Sequence, residues 1–417
     1  MLRTIIAIIS FTLAAQSSFG QQLARDLLGD KEEIHLPFKM QNGFIVLDIQ
    51  FNRFFPLRMI FDTGAEHTIL FDKTLTDLLN IPYEREIRVM GSDLSVEMYA
   101  QIVRNISFTL SNETVVKRDI IVLNEDYIHL NENHGIDVNG IIGGEFFKGL
   151  VVHINYRKRR IELYNPDTYQ TDKKFSQHEI SIEHFKPYIV GNYVSSSTEA
   201  SDTVQLKLLL DTGAAITYLI FIDSDTSIVA PAHAITGHLG KGLGGDIFGL
   251  VGKSRYIGIE QYGFNEVITY FQDVDTSQYI QSAVNRSGLI GNDVLSRFDE
   301  LAIDYTHQLL YLKPSKNYNK EFKYDKSGIN MIAMGPNLKQ YYVSSVLIDS
   351  PAYECGIRPG DLIKRYGWWS TRWYSLEGLS NRLCGDEGKE IKLTIQREDE
   401  KLKKSFILRD LLKAKKD

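Results

Sequence analysis

The chain carries one tetrapeptide twice, each time at the end of an apolar run, and the surroundings repeat with it. "MIFDTGAEHTIL" (Met59 to Leu70) and "LLLDTGAAITYL" (Leu208 to Leu219) set Asp62 and Asp211 149 residues apart. The offset persists downstream. "GIIGGEFF" (Gly140 to Phe147) meets "GLIGNDVL" (Gly288 to Leu295) at 148, and "VVHINYRKRRIELY" meets "ELAIDYTHQLLYL" with Tyr156 and Tyr305 again 149 apart. A chance tetrapeptide does not bring its downstream landmarks with it, so the chain contains a duplication.

Within each copy the local pattern is β. "GFIVLDIQF" and "DIIVLN" have the β-branched, alternating character of strands, and "INYRKRRIEL" reads as two strands joined by a polar turn. Short helical turns are expected after each Ile-Gly, at "EFFKGL" and "DVLSRF". Two β-rich lobes follow, residues 33–166 and 177–314, joined by the polar "NPDTYQTDKKFSQ". The last hundred residues depart from this pattern. "YYVSSVLIDSPAYECGIRPGDLIKRYG" runs from a strand through a Ser-Pro-Ala turn into a short helix that Gly356, Pro359 and Gly360 stop. With a helical "SLEGLSNRLCG" and an alternating "KEIKLTIQRE", residues 325–411 form a separate α+β module. Three units suit a length of 417 residues.

Residues 1–20 read as an export signal: Arg3, the apolar "IIAIISFTLAA", then small residues before a cut near Gly20. That run is shorter than a membrane span, and no later one is longer, so an exported, periplasmic or extracellular chain is expected. The formal net charge of -6 and the lack of a basic, aromatic-interleaved stripe argue against nucleic acid as a partner. Cys355 and Cys384 either pair or remain two small buried thiols.

An ionised carboxylate within an apolar run is costly unless it is hydrogen-bonded, paired or protonated. Two brought face to face share one proton, and the titration then belongs to the pair. The ionised member can take a proton from water attacking a peptide carbonyl, while the protonated one donates to the carbonyl oxygen. Gly64 and Gly213 permit a sharp turn with amides close to the carboxylates, and Thr63 and Thr212 can place hydroxyls between the loops. Gly143 and Gly291 suit a strand passing close to another backbone.

Those paired signatures, Asp62-Thr63-Gly64 with Ile141-Ile142-Gly143 and Asp211-Thr212-Gly213 with Leu289-Ile290-Gly291, resemble the pepsin and retropepsin clan of aspartic peptidases. Ser350-Pro351-Ala352 and "GIRPGD" resemble a PDZ domain, and the layout is similar to bacterial aspartyl proteases with two retropepsin-like repeats and a C-terminal PDZ. The resemblance implies a mainly β fold: two pseudo-symmetric acid-protease (retropepsin-like) lobes forming one cleft, plus the α+β PDZ domain. It implies an aspartic endopeptidase with Asp62 and Asp211 as catalytic dyad, Thr63 and Thr212 bonded across the pseudo-twofold axis, and no cofactor or metal. Ala65 and Ala214 stand where pepsin-like members carry a hydroxyl, which implies activity nearer neutral pH. Flaps are implied in "GKGLGGDIFGLVGK", with Gly242, Gly244 and Gly245, and in "VMGSDLSVEMY", with Gly91. The peptide-carboxylate loop of the PDZ falls at "AMGPNLKQYY". Expected partners are a peptide or protein substrate and a C-terminal peptide on the PDZ, with the chain itself a monomer.

A phosphate loop is excluded at "GLVGKS", because Ile247 stands where GxxxxGK[ST] needs glycine. His233 and His238 have no companion ligand set. A non-catalytic peptide-binding protein of the same fold is the alternative function.

Overall fold

Strands dominate because the apolar residues recur at every second position. In Glu33–Gln41, Ile34, Leu36 and Phe38 point inward while Glu33, Pro37 and Lys39 face solvent or the rim. The computed structural model describes residues 27–29, 31–90, 97–110, 114–197, 202–242, 245–272 and 285–413. The export signal over 1–20, Gly91 and Gly244 lie outside the described residues.

Three sheets carry the described chain: one of 13 strands, one of 8 and one of 6. The first belongs to neither repeat alone. Val151–Asn155 pairs antiparallel with Arg160–Tyr164 on one side and with Phe298–Asp304 on the other, in the register Glu300↔Asn155 to Asp304↔Val151. This joint welds the end of the second repeat to the end of the first. The connector between the repeats contributes to it too. Tyr169 packs its ring 5.2 Å from Tyr164 and 5.5 Å from Tyr311, and Ser176–Glu179 adds an edge strand against Leu309–Pro314. The segment expected as a polar linker is therefore partly built into the sheet, anchored by its tyrosine.

The same parallel pairing occurs in each repeat. Phe55–Phe61 lies beside Gly140–Ile142, and Val204–Asp211 lies beside Gly288–Gly291, in the register Asp211↔Gly291. Each pair is completed by a short antiparallel strand, Ile69–Leu70 or Tyr218–Phe221. The expected helical turns are present as a 3₁₀ turn over Gly144–Phe147 and a single turn over Asn292–Leu295. One large core runs through both repeats; it includes Phe61, Phe147, Leu210 and Ile290.

The C-terminal module has its own core of Ile329, Tyr341, Leu379, Ile395 and neighbours, and the sheet order Ile329–Met334, Gln340–Val346, Leu362–Tyr366, Glu390–Arg397, Glu400–Ile407. Ser350 and Ser375 cap its helices Pro351–Glu354 and Leu376–Leu383. Mainly β, with an α+β module at the C-terminus, is thus what the described residues form. No helix among them is long and apolar enough to cross a membrane.

Candidate functional site

Two strands end where the repeats meet. The amide of Asp62 donates to the Ile142 carbonyl at 3.0 Å, which fixes the first strand end against its parallel neighbour. Gly291 sits opposite Asp211 in the second. A side chain at Gly143 would lie 2.5 Å from the His67 carbonyl oxygen and 2.7 Å from that of Glu66, and one at Gly291 would collide with the Ile216 carbonyl. Both glycines are required by close backbone approach.

Between the strand ends, Thr63 and Thr212 interlock. The Thr63 amide donates to Thr212 Oγ1 at 3.1 Å and the Thr212 amide to Thr63 Oγ1 at 3.0 Å. Each hydroxyl then donates to the carbonyl preceding the opposite aspartate, Thr63 to Leu210 at 2.7 Å and Thr212 to Phe61 at 2.8 Å. Both threonines are fully buried, so an unmatched hydroxyl would cost about 1–3 kcal/mol. The reciprocal pattern satisfies all of these groups and fixes the two loops against each other.

That lock brings Asp62 and Asp211 together. A Cβ on Gly64 would meet the Asp211 carboxylate at 2.6 Å, and one on Gly213 the Asp62 carboxylate oxygens at 2.5 Å. Asp62 Oδ1 accepts from the amides of Gly64 at 2.8 Å and Ala65 at 3.1 Å; Asp211 Oδ1 accepts from Gly213 at 2.8 Å. Burial holds both carboxyls above the ordinary carboxylate range. Charge repulsion from Asp211 adds to the shift of Asp62, whereas the Arg286 guanidinium draws Asp211 back down. The two carboxyls therefore titrate as a pair, with Arg286 biasing Asp211 toward its ionised form.

Arg286 and Lys186 were not singled out from the sequence. Burial lowers the affinity of each for its proton, and both feel the negative charge of the pair. Arg286 also stands over the Phe221 ring at 5.4 Å. It lies two residues before Gly288, which is the only signal the sequence offers. Of the flap glycines, Gly242 and Gly245 face one another at the tip of the hairpin formed by Ile235–Gly242 and Gly245–Ile259. Residues 91–96, within the other expected flap, lie outside the described residues.

Other chemistry-bearing groups lie away from this pair. A cavity of about 820 Å³ is lined by His153, Glu162, Tyr164, Tyr169 and Glu300. There Glu300, held down at about 2, accepts from Lys313 at 2.6 Å and sits 3.1 Å from His153 Nε2. Asp126, His129 and Glu132 could bring three ligand atoms within 4.8 Å, but Asp126 Oδ1 already accepts from the amides of Ile128 and His129. Cys355 and Cys384 are both free thiols, and burial pushes Cys384 up to about 12. The segment expected as the PDZ carboxylate loop is instead the turn between Ile329–Met334 and Gln340–Val346, closed by the Leu338 amide on the Gly335 carbonyl. At the other end of the first strand, the amides of Ser327 and Gly328 already hold the Asp325 carboxylate.

Comparison with known proteins gives a definite match at the C-terminus. Residues 342–397 match the family model of the PDZ domain. A stretch of 128 residues, 30% of this chain, is 26% identical to a probable CtpA-like serine protease of Staphylococcus saprophyticus, and the chain spans a quarter of that relative's length. Among solved structures, an aspartic proteinase from Irpex lacteus is similar over 69% of this chain and 99% of its own, at 13% identity and a TM-score of 0.44. A photosystem II D1 C-terminal processing protease is similar over 20% of this chain and 22% of its own, at 18% identity and a TM-score of 0.19. At such TM-scores neither structure carries an argument about this chain.

These findings correct the aspartic-endopeptidase expectation, and with it the aspartyl, pepsin-like and retropepsin-like labels. The family found is the PDZ domain, and the curated relative is named a serine protease. The physical reason lies in what the repeated motif specifies. Asp-Thr-Gly with a later glycine dictates a strand exit, a turn and a close backbone approach, and a local geometry of that kind does not by itself fix a reaction.

Proposed function

We propose that this chain engages extended polypeptides and takes part in their proteolytic processing. The C-terminal module holds the peptide, and Asp62 and Asp211 mark the place where the body of the protein meets it. The observation that carries the reading is the PDZ match over 342–397, together with a stretch of 128 residues similar to a probable CtpA-like serine protease. A PDZ module takes an extended segment onto a free strand edge, where main-chain hydrogen bonds give affinity and side-chain pockets give selectivity. Asp62 and Asp211 support the second half of the reading, since a pair sharing one proton presents a donor beside an acceptor, the two groups that a peptide unit requires. Within the same reading, residues 33–166 and 177–314 are two pseudo-symmetric lobes about a cleft. Thr63, Gly64, Thr212 and Gly213 hold the acid pair, Gly143 and Gly291 let the backbones close on it, and the hairpin bearing Gly242 and Gly245 covers it. The chain acts outside the cytoplasm as a monomer.

The test uses the full chain, unfolded β-casein as substrate, and mass spectrometry of the products between pH 4 and 8. Wild type is expected to shorten casein. Asp62→Asn is expected to weaken retention of casein on the immobilised protein by at least tenfold, and labelling with a fluorophosphonate reports whether a serine supplies the nucleophile. Intact casein with wild type at every pH, together with no retention of casein on the immobilised protein, overturns the proposal.

A further inference from the structure

In the C-terminal module the strand Ile329–Met334 stands at the end of its sheet and pairs on one side with Gln340–Val346. The helix Leu376–Leu383 packs against the same strand and contributes Leu376, Leu379 and Leu383 to the module's core. An end strand flanked by an apolar helix is where an added strand lies in peptide recognition of this kind. In this molecule that place is already taken. The short helix Leu130–His134, which belongs to the first repeat, packs on Ile329–Met334. Gly135 follows it with φ +62 and wedges between the strand and the helix. A Cβ at Gly135 would lie 2.7 Å from Cβ of Leu376 and 3.4 Å from that of Ala333.

The wedge is fastened on both sides. Asn42, in the turn after Glu33–Gln41, donates from its side-chain amide to the His134 carbonyl at 3.0 Å, and Phe44 meets the His134 ring edge-on at 4.9 Å. The Asn42 main-chain amide donates to Glu377 Oε2 on the module's helix at 3.2 Å. One turn of the first repeat therefore grips the wedge and the module together. Leu376 is 3% exposed under this cover, although it stands in the helix's first turn.

We propose that residues 130–135 occupy the peptide groove of their own chain, so that an extended peptide enters only by displacing them. The inference rests on reading the C-terminal module as peptide-binding. Its partner is an extended segment with small or aliphatic side chains at alternate positions, since Ala333 and Leu376 are the surfaces that the wedge now covers. Occlusion in cis reduces the apparent affinity by the fraction of molecules with the wedge released. The wedge also lies a few residues before Gly140–Ile142, the strand that fixes Asp62 through its amide. Displacing it moves chain that is continuous with the acid pair.

The experiment titrates the full chain with fluorescein-labelled decapeptides alternating valine or leucine with serine, and reads anisotropy. Gly135→Val places a branched side chain against Leu376 and unseats the wedge without altering the module. It is expected to bind at least tenfold more tightly than wild type. Because this variant can fail to fold, hydrogen exchange on wild type provides an independent reading: saturating peptide is expected to speed exchange of the 130–135 amides. Equal affinity for both proteins, with exchange over 130–135 unchanged by bound peptide, overturns the inference and leaves the peptide-binding reading standing. Binding to neither protein at millimolar peptide overturns both.

Discussion

At Asp62 the burial of an acid works against stability. Its carboxyl is raised well above the ordinary 3.8 by burial and by Asp211, so between those two values the folded state holds a proton that the unfolded chain has released. Stability contributed here falls as pH rises through that interval, because the folded state binds the extra proton. Asp62→Asn removes the titration while keeping an oxygen for the Gly64 and Ala65 amides. The variant is expected to be more stable than wild type at pH 7 by about 0.5–2 kcal/mol, an advantage that disappears by pH 3. Urea denaturation at the two pH values checks this; a variant less stable at pH 7 would show that the carboxylate is ionised and well held. The aspartates, threonines and glycines of this site were legible because they recur in both copies. Arg286, which draws Asp211 down, and Lys186, which feels the charge of both acids, were not, because neither belongs to a repeated motif and their meeting with the pair is made by tertiary folding alone.

Among the elements, Gly288–Gly291 illustrates how a strand can be specified by what it must leave out. Gly291 has φ −84 and ψ 173, ordinary extended backbone, so conformational freedom is not the reason for glycine there. Space is the reason: the Ile216 and Ala214 carbonyl oxygens stand where a Cβ would go, the second at 2.8 Å. Gly291→Ala is therefore expected to cost about 1–3 kcal/mol by forcing the 214–216 backbone away from the strand. Gly237→Ala, in the hairpin strand Ile235–Gly242 with nothing within 4 Å of its Cβ position, is expected to stay within about 0.5 kcal/mol of wild type. Urea midpoints of the two variants test the contrast, and equal losses would contradict it. Individual strands were legible from alternation and from β-branched residues. Their order in the sheets was not, since the pairing of Val151–Asn155 with Phe298–Asp304 joins residues about 150 apart and no local periodicity encodes a partner at that distance. The polar connector misled for a related reason. Its composition describes a solvated chain, while one residue, Tyr169, decides that it packs.

For the molecule as a whole, the decisive question is how firmly the C-terminal module is seated on the two repeats. On the first it is held by the wedge over 130–135 and by the Asn42 amide on Glu377. On the second the hold combines an ion pair with burial of Leu412 in the large core. Lys253, in the long hairpin strand Gly245–Ile259, places Nζ 2.9 Å from Asp410 Oδ2, and the Tyr324 hydroxyl donates to the same carboxylate from the entry of the module. The Asp410 side chain is only 6% exposed, and these partners hold its carboxyl down at about 2. A carboxylate lowered in this way supports the docked state at any pH above its ordinary range and is neutralised only as pH falls toward 2, so docking should persist through mild acid. Removing the carboxylate leaves Lys253 half-covered without its partner, a loss of about 3–5 kcal/mol where such a pair is buried and less at this partial exposure. Asp410→Ala is thus expected to free the module on its second-repeat side while each core keeps its own packing, because the module's core and the large core share no residues. Small-angle scattering should then show a larger radius of gyration, and limited proteolysis should cut first between Pro314 and Tyr324, with near-native circular dichroism. If scattering and cleavage match wild type, the contacts made by 130–135 and Asn42 suffice to seat the module, and the wedge is the principal fastening of the molecule.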